Sequence, residues 1–245
     1  MRQDKDNVTF SAFWNVPDNP KATAKMGHLE YAKATSSGRS LPDYFISEQA
    51  KQHNFSCSIY TAFNELPSIP YLNNLRENCL NNRRVFLKSG IEIKSNAFVK
   101  LATIWTSKVL LFNTIASKVT NTDYITWIDC IFRKDFSEIV NHEHRQTIMI
   151  SQYDDSFSKF SFRGMVPISD LPKQKLRAQV IKIPTKLLPE VTEEYINCLI
   201  RVDRNFKIFD EEVVLSVMNE EHPELFTVIS STKTTDKDRI KNEAG

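Results

Sequence analysis

Two acidic positions and one lysine stand where residue type and spacing could do chemistry. Asp129 ends the run Tyr124-Ile-Thr-Trp-Ile-Asp129, whose β-branched and aromatic residues read as a strand closing on a carboxylate. In an open parallel sheet the loops diverge beyond the carboxyl ends of the strands and leave a crevice where ligands bind. A carboxylate at that point can hold a hard divalent cation, Mn²⁺ or Mg²⁺, and through it a diphosphate. The same residue can equally well form the turn that leaves the strand. Asp210-Glu211-Glu212 is the second acidic position. Asp210 suits an N-cap, and acids in a first helical turn complement the macrodipole. Lys108 precedes the Asp129 strand on a helical pattern, between Trp105 and Val109. Near the crevice it could neutralise a diphosphate; at a helix edge it would lay its stem on apolar surface and keep its charge in water.

Other groups carry less. His142-Glu143-His144 puts both imidazoles on one face only if the segment is a strand, and no third ligand follows at a recognisable spacing. It therefore reads as a surface loop. Asp154-Asp155 reads as a turn, and Arg83-Arg84 with Lys88 as solvated loop cations. No serine carries a GxSxG flank. The cysteines, Cys57, Cys79, Cys130 and Cys198, are too far apart for a CxxC pair or a zinc knuckle, which points to free, buried thiols in a reducing compartment.

The elements that must position these residues follow from periodicity. Val8 to Val16 reads as a first strand stopped by Pro17, Ser40-Leu-Pro-Asp as the start of a helix to about His53, and Phe55 to Phe63 as a second strand. That strand–helix–strand opening predicts a parallel, helix-covered sheet. Residues 64–96 are irregular. Phe98, Leu101, Ala102, Trp105, Val109, Phe112, Ile115, Ala116 and Val119 then recur at three- and four-residue steps, the clearest helix in the chain, closed by a turn at Asn121-Thr122-Asp123. Residues 133–185 give only short strand signals, at 148–150 and at Phe157, Phe160 and Phe162. Helices are expected over Val191 to Phe206 and from Asp210, with Val213, Val214, Val217 and Met218 as the inner face, and a last strand over 224–230. Residues 231–245 are polar and charged and read as a disordered tail, which leaves one domain over 1–230.

Composition closes off several classes. The 245 residues carry Lys+Arg 32 against Asp+Glu 30, too even a balance for a protein that grips a nucleic-acid backbone. The 5 glycines are scattered, so neither GxGxxG nor a Walker A loop is present. The charged start leads into no apolar leader segment and no run is long enough to span a bilayer, so a cytoplasmic setting is expected.

The segments WTSK at 105–108, LLF at 110–112, TDYITWID at 122–129, FDEEVVLS at 209–216 and HPELF at 222–226 resemble, in order and spacing, the WlaTC/HtrL family of bacterial proteins. The likeness covers most of residues 8–230 and is strongest at 98–130 and 206–226. The resemblance implies a GT-A-like α/β fold, a Rossmann-type mixed sheet flanked by helices in a single domain. It implies a glycosyltransferase of surface-polysaccharide or lipopolysaccharide synthesis that takes a nucleotide-sugar donor. The acceptor would be a glycan or a lipid-linked molecule, the latter bringing the protein peripherally to the inner membrane face. Asp129 would take the place of the metal- or sugar-contacting carboxylate with Mn²⁺ or Mg²⁺, Asp210 or Glu211 would deprotonate the acceptor, and Lys108 would steady the diphosphate. Where many such enzymes have Asp-x-Asp, this chain has Asp129-Cys130-Ile131, and Val180-Ile-Lys-Ile-Pro-Thr-Lys stands where the family is glycine-rich. Those departures keep a second reading open: a catalytically degenerate domain of the same fold that binds a nucleotide, a glycan or a protein.

Overall fold

The computed structural model describes residues 7–13, 59–62, 85–87, 95–129, 139, 146–152, 160–162, 176–206 and 211–229. The strands in chain order are β1 (Asn7–Phe13), β2 (Ile59–Ala62), β3 (Val85–Leu87), β4 (Tyr124–Ile128), β5 (Ile148–Gln152), β6 (Phe160–Phe162), β7 (Leu176–Pro184) and β8 (Phe226–Ile229). The helices are α1 (Ser95–Ala116), α2 (Leu188–Phe206) and α3 (Glu211–Glu221). Six strands form one sheet in the order β2-β1-β4-β7-β5-β8, and β3 pairs with β6 in a separate two-stranded ribbon. The large sheet takes strands from both ends of the chain, so the described elements belong to one α/β domain.

The pairing of β1 parallel to both β2 and β4 agrees with the parallel opening expected from the sequence. Further in, β7 runs antiparallel to both of its neighbours, β4 and β5, so the sheet is mixed, as the resemblance implied, and not parallel throughout, as the opening alone suggested. β7 was invisible as a strand because it does not alternate. It lies between two strands with both faces covered, and every residue but Gln179 is buried. A strand buried on both sides loses the period-two signal. Its charged residues hid it further; Lys182 is buried with its Nζ 4.9 Å over the Tyr124 ring. The helix expected over 40–53 and the tail over 231–245 lie outside the described residues.

One face of the sheet carries the main core. Phe10 of β1 and Trp127 of β4 are register partners, so they share a face, and Phe112 of α1 packs on Phe10 from above. Both ring pairs meet edge-on, at 5.1 Å and 86° for Phe10–Phe112 and 5.3 Å and 70° for Phe10–Trp127. Helices α2 and α3 cover the same face through Tyr195, Leu199, Val213 and Val214. Tyr195 is fully buried and its hydroxyl donates to the Thr106 carbonyl at 2.9 Å, fixing α2 against α1. The opposite face holds a smaller cluster of Ile128, Ile139, Met149, Val180 and Ile229.

The link from α1 to β4 is short. The last turn of α1 tightens through Lys118 N–H to the Ile115 carbonyl, and Asn121 takes a left-handed φ of 56°. Asn tolerates that conformation better than most residues. The Thr185 hydroxyl donates to the Thr122 carbonyl at 2.6 Å and anchors the turn beside the end of β7. Helix α1 is thereby held close over the strand that follows it.

Cys198 lies on the inner side of α2, with its thiol donating to the Val214 carbonyl at 3.4 Å. Burial first, and the carboxylate of Glu221 second, push its pKa up to about 11. At pH 8 the thiolate is then about a thousandth of the population. Cys198 is therefore expected to resist iodoacetamide in the native state and to react fully in urea, as read by mass spectrometry of its peptide; native labelling at the rate of a free thiol would contradict this packing.

Candidate functional site

Parallel strands β2 and β4 leave β1 on opposite sides. Chains that diverge in this way open a crevice at the carboxyl ends of the central strands. Asp129 is the first residue beyond β4 at that point. Its N–H donates to the Gln179 carbonyl at 2.8 Å, extending the β4–β7 ladder by one bond and fixing where the side chain begins.

Strand alternation puts Asp129 on the face of Trp127, two residues earlier. The Trp127 indole N–H donates to Asp129 Oδ1 at 2.9 Å. The same oxygen is 2.8 Å from Lys108 Nζ, and that ammonium is 2.7 Å from Oε1 of Glu211. It also donates to the Ala178 carbonyl at 3.3 Å and sits 5.6 Å from the Trp127 ring. Three residues distant in sequence, on α1, beyond β4 and at the start of α3, thus meet at one nitrogen. The side chains of Lys108 and Glu211 are 6% and 5% exposed, whereas that of Asp129 is 25% exposed. Asp129 is the member of the three that solvent reaches.

The alternative in which Lys108 trails from the helix edge is overturned. Lys108 lies on the buried face of α1, one turn before Phe112, and all three of its N–H groups have an oxygen in range. Desolvation opposes its charge, but attraction and hydrogen bonding from Asp129 and Glu211 outweigh it, so its pKa is raised above the ordinary 10.5. The ammonium is permanently charged at neutral pH.

Glu212 was marked in the sequence only as part of the acidic run, with no role of its own. It stands beside Glu211 in the first turn of α3 and is 2% exposed. Its Oε1 accepts the Ala178 N–H at 3.0 Å. That N–H is available because β7 shifts register against β5: Ile181 pairs with Ile150, but Arg177 pairs with Ser151. The three residues between, 178–180, have no partner residue on β5, as in a β-bulge. Glu212 and Lys108 take up the N–H and C=O of Ala178. One turn on, Ser216 Oγ donates to the Glu212 carbonyl at 2.6 Å and accepts the Leu176 N–H at 2.9 Å. The helix start is therefore bonded to the strand at two points. Two buried carboxylates at a helix N-terminus also gain from the positive end of the macrodipole. Trp127 could have been found from the two-residue spacing to Asp129; the bond between Glu212 and Ala178 could not, because nothing in the sequence announces the bulge.

Asp210, the other acidic candidate, lies outside the described residues, as do His142, Glu143, His144, Asp154, Asp155, Arg83, Arg84 and Lys88. Among the described residues no group of three His, Cys, Asp or Glu side chains is arranged to hold a metal ion. A divalent ion beside Asp129 Oδ1 would stand about 4 Å from the ammonium. Repulsion between charges of +2 and +1 at that distance is about 8 kcal/mol at an effective dielectric constant of about 20. The described residues do not fit a resident Mn²⁺ or Mg²⁺ at Asp129. No described helix is long and apolar enough to cross a membrane.

No family model matches the chain, and no curated protein matches it. Among solved structures, the chain is similar to a glycosyltransferase involved in the glycosylation of the major capsid of PBCV-1, at 11% identity and a TM-score of 0.46, over 97% of this chain and 91% of that one. It is also similar to mouse xyloside xylosyltransferase 1 in its apo form, at 11% identity and a TM-score of 0.41, over 98% and 92%.

Removing one partner of a buried ion pair leaves an uncompensated charge, at a cost of about 3–5 kcal/mol. Lys108→Met should lower the unfolding free energy in urea by that amount at pH 7, and adding Asp129→Asn and Glu211→Gln should recover much of it. Because the folded pKa of Lys108 is raised, its contribution is whole below 10.5 and is lost only as pH climbs through the folded value. The penalty of Lys108→Met should therefore stay level from about pH 7 to about pH 10 and shrink above. A penalty under about 0.5 kcal/mol, the size of a surface substitution, would show that the cluster holds nothing together.

Proposed function

We propose that this protein is a glycosyltransferase of GT-A-like architecture that moves a sugar from a nucleotide-diphosphate donor to a glycan or lipid-linked acceptor. The observation that carries the reading is the convergence of three separate motifs. The lysine of WTSK, the aspartate of TDYITWID and the first glutamate of FDEEVVLS come together at Lys108 Nζ, beyond the carboxyl end of β4. Those are the motifs that resemble the WlaTC/HtrL family, and the meeting point is where an open sheet binds ligands.

In this reading the donor lies across the carboxyl ends of β1 and β4. Asp129 meets the donor sugar. Its Oδ1 is occupied by Trp127 and Lys108, so Oδ2 is the oxygen left to accept a sugar hydroxyl. Lys108, with its N–H groups already committed, acts as the post that holds Asp129 and Glu211 in place. Glu211, enclosed and paired, belongs to that support, and Asp210 beside it is the proposed general base. As an acceptor oxygen bonds to the sugar's C1, the C1–O bond to the diphosphate breaks. The nucleoside diphosphate departs and the acceptor proton passes to the Asp210 carboxylate. Surface-polysaccharide or lipopolysaccharide synthesis, with the protein at the inner membrane face, is the proposed setting.

The second reading, a domain that binds without turnover, is favoured by one feature: the ion pair leaves a single cluster carboxylate exposed. Turnover separates the two. Incubated with UDP-, GDP-, dTDP- and CMP-sugars, the protein should release free nucleotide from at least one donor. Asp129→Asn should cut that release by about 10²-fold or more while the melting temperature stays within a few degrees. A donor that raises the melting temperature without release across a broad acceptor panel would favour binding alone. No donor effect of either kind would remove the transferase reading and nucleotide binding together.

A further inference from the structure

Among the described residues, Lys108 Nζ has three oxygens within hydrogen-bond distance: a carboxylate oxygen from Asp129, another from Glu211 and the carbonyl of Ala178. Two carboxylates and a backbone carbonyl are the donor set that proteins offer to hard divalent cations. The distances, 2.7, 2.8 and 3.3 Å, are those of ammonium hydrogen bonds, longer than the roughly 2.0–2.6 Å of Mg²⁺ or Ca²⁺ to oxygen. Each wall of this cage is built from a different part of the chain and is held in place by further bonds. Asp129 is held by its own N–H and by Trp127. Glu211 is set by α3, which Glu212 and Ser216 tie to β7. The carbonyl is turned inward where β7 departs from β5.

We infer that the Lys108 ammonium is the resident cation of this site, filling a cage of metal-ligand chemistry so that no divalent ion is held at Asp129. The side chain is covalently tethered and buried, so it stays in place without exchange. Two carboxylates against one ammonium leave one formal negative charge, which the N-terminus of α3 and the solvent at Asp129 offset. For the donor site the inference deepens the transferase reading and rests on it there: sugar recognition at Asp129 would proceed without metal. The cage itself is independent of that reading.

The test uses Mn²⁺ alone, with the full chain and no nucleotide, and follows the free-ion signal by electron paramagnetic resonance. Wild type and Asp129→Asn should take up Mn²⁺ alike, since any ion bound is bound elsewhere. Lys108→Ala, which empties the cage, should bind one further Mn²⁺ roughly tenfold or more tighter than wild type at this position. That added ion should be lost again in Lys108→Ala/Glu211→Gln. A wild-type Mn²⁺ that disappears in Asp129→Asn would overturn the inference, and so would a folded Lys108→Ala that gains none. Should Lys108→Ala not fold, the comparison of wild type with Asp129→Asn decides alone. Failure of nucleotide release from every donor would end the transferase reading and leave this result unaffected.

Discussion

A buried ammonium with three oxygen partners is the constraint on which the local architecture depends. A lysine taken out of water is stable as a cation only if opposite charge and hydrogen bonds replace its hydration. Here the replacements come from three places: the residue beyond β4, the first turn of α3, and a carbonyl of β7. Each supplies one of the three oxygens that replace the ammonium's hydration. The cluster therefore ties helix, sheet and second helix at one spot, and that spot lies beyond the carboxyl end of β4, where an open α/β sheet exposes its loops.

The register shift in β7 is the counterpart of that cluster. A regular central strand would give every N–H and C=O to its neighbours and have nothing to offer a side chain. By slipping three residues against β5, β7 leaves residues 178–180 without partner residues on that strand. Glu212 and Lys108 engage Ala178 there with opposite charges, a carboxylate on the N–H and an ammonium on the C=O. The irregularity and the charges explain one another: without the bulge Glu212 would be buried without that donor, and without the charged side chains the bulge would bury unmet backbone groups.

The packing beneath gives this arrangement its rigidity. Trp127 serves both layers, with its ring edge-on to Phe10 in the core and its indole N–H on Asp129. Phe112, one turn from Lys108 on α1, presses on the same Phe10. A carboxylate oriented in this way is fixed by groups that are themselves locked in a close-packed core, which is the condition for a polar site to keep its geometry.

Much of the frame could be read from the chain alone. Apolar spacing located α1, the β-branched runs located β1 and β4, and the acidic start located α3, because local periodicity and capping are set by residues near in sequence. The pairing of Trp127 with Asp129 was within reach for the same reason, since alternate residues of a strand share a face. Lys108, Asp129 and Glu211 were each marked by type and position, but their meeting was not, and Lys108 looked as much like an edge lysine as an enclosed one. Only the tertiary fold decided that β7 enters the sheet antiparallel, that its register breaks at Ala178, and that Glu212 is buried there. Those outcomes depend on contacts between residues 24 to 103 positions apart, for which the sequence carries no local signal.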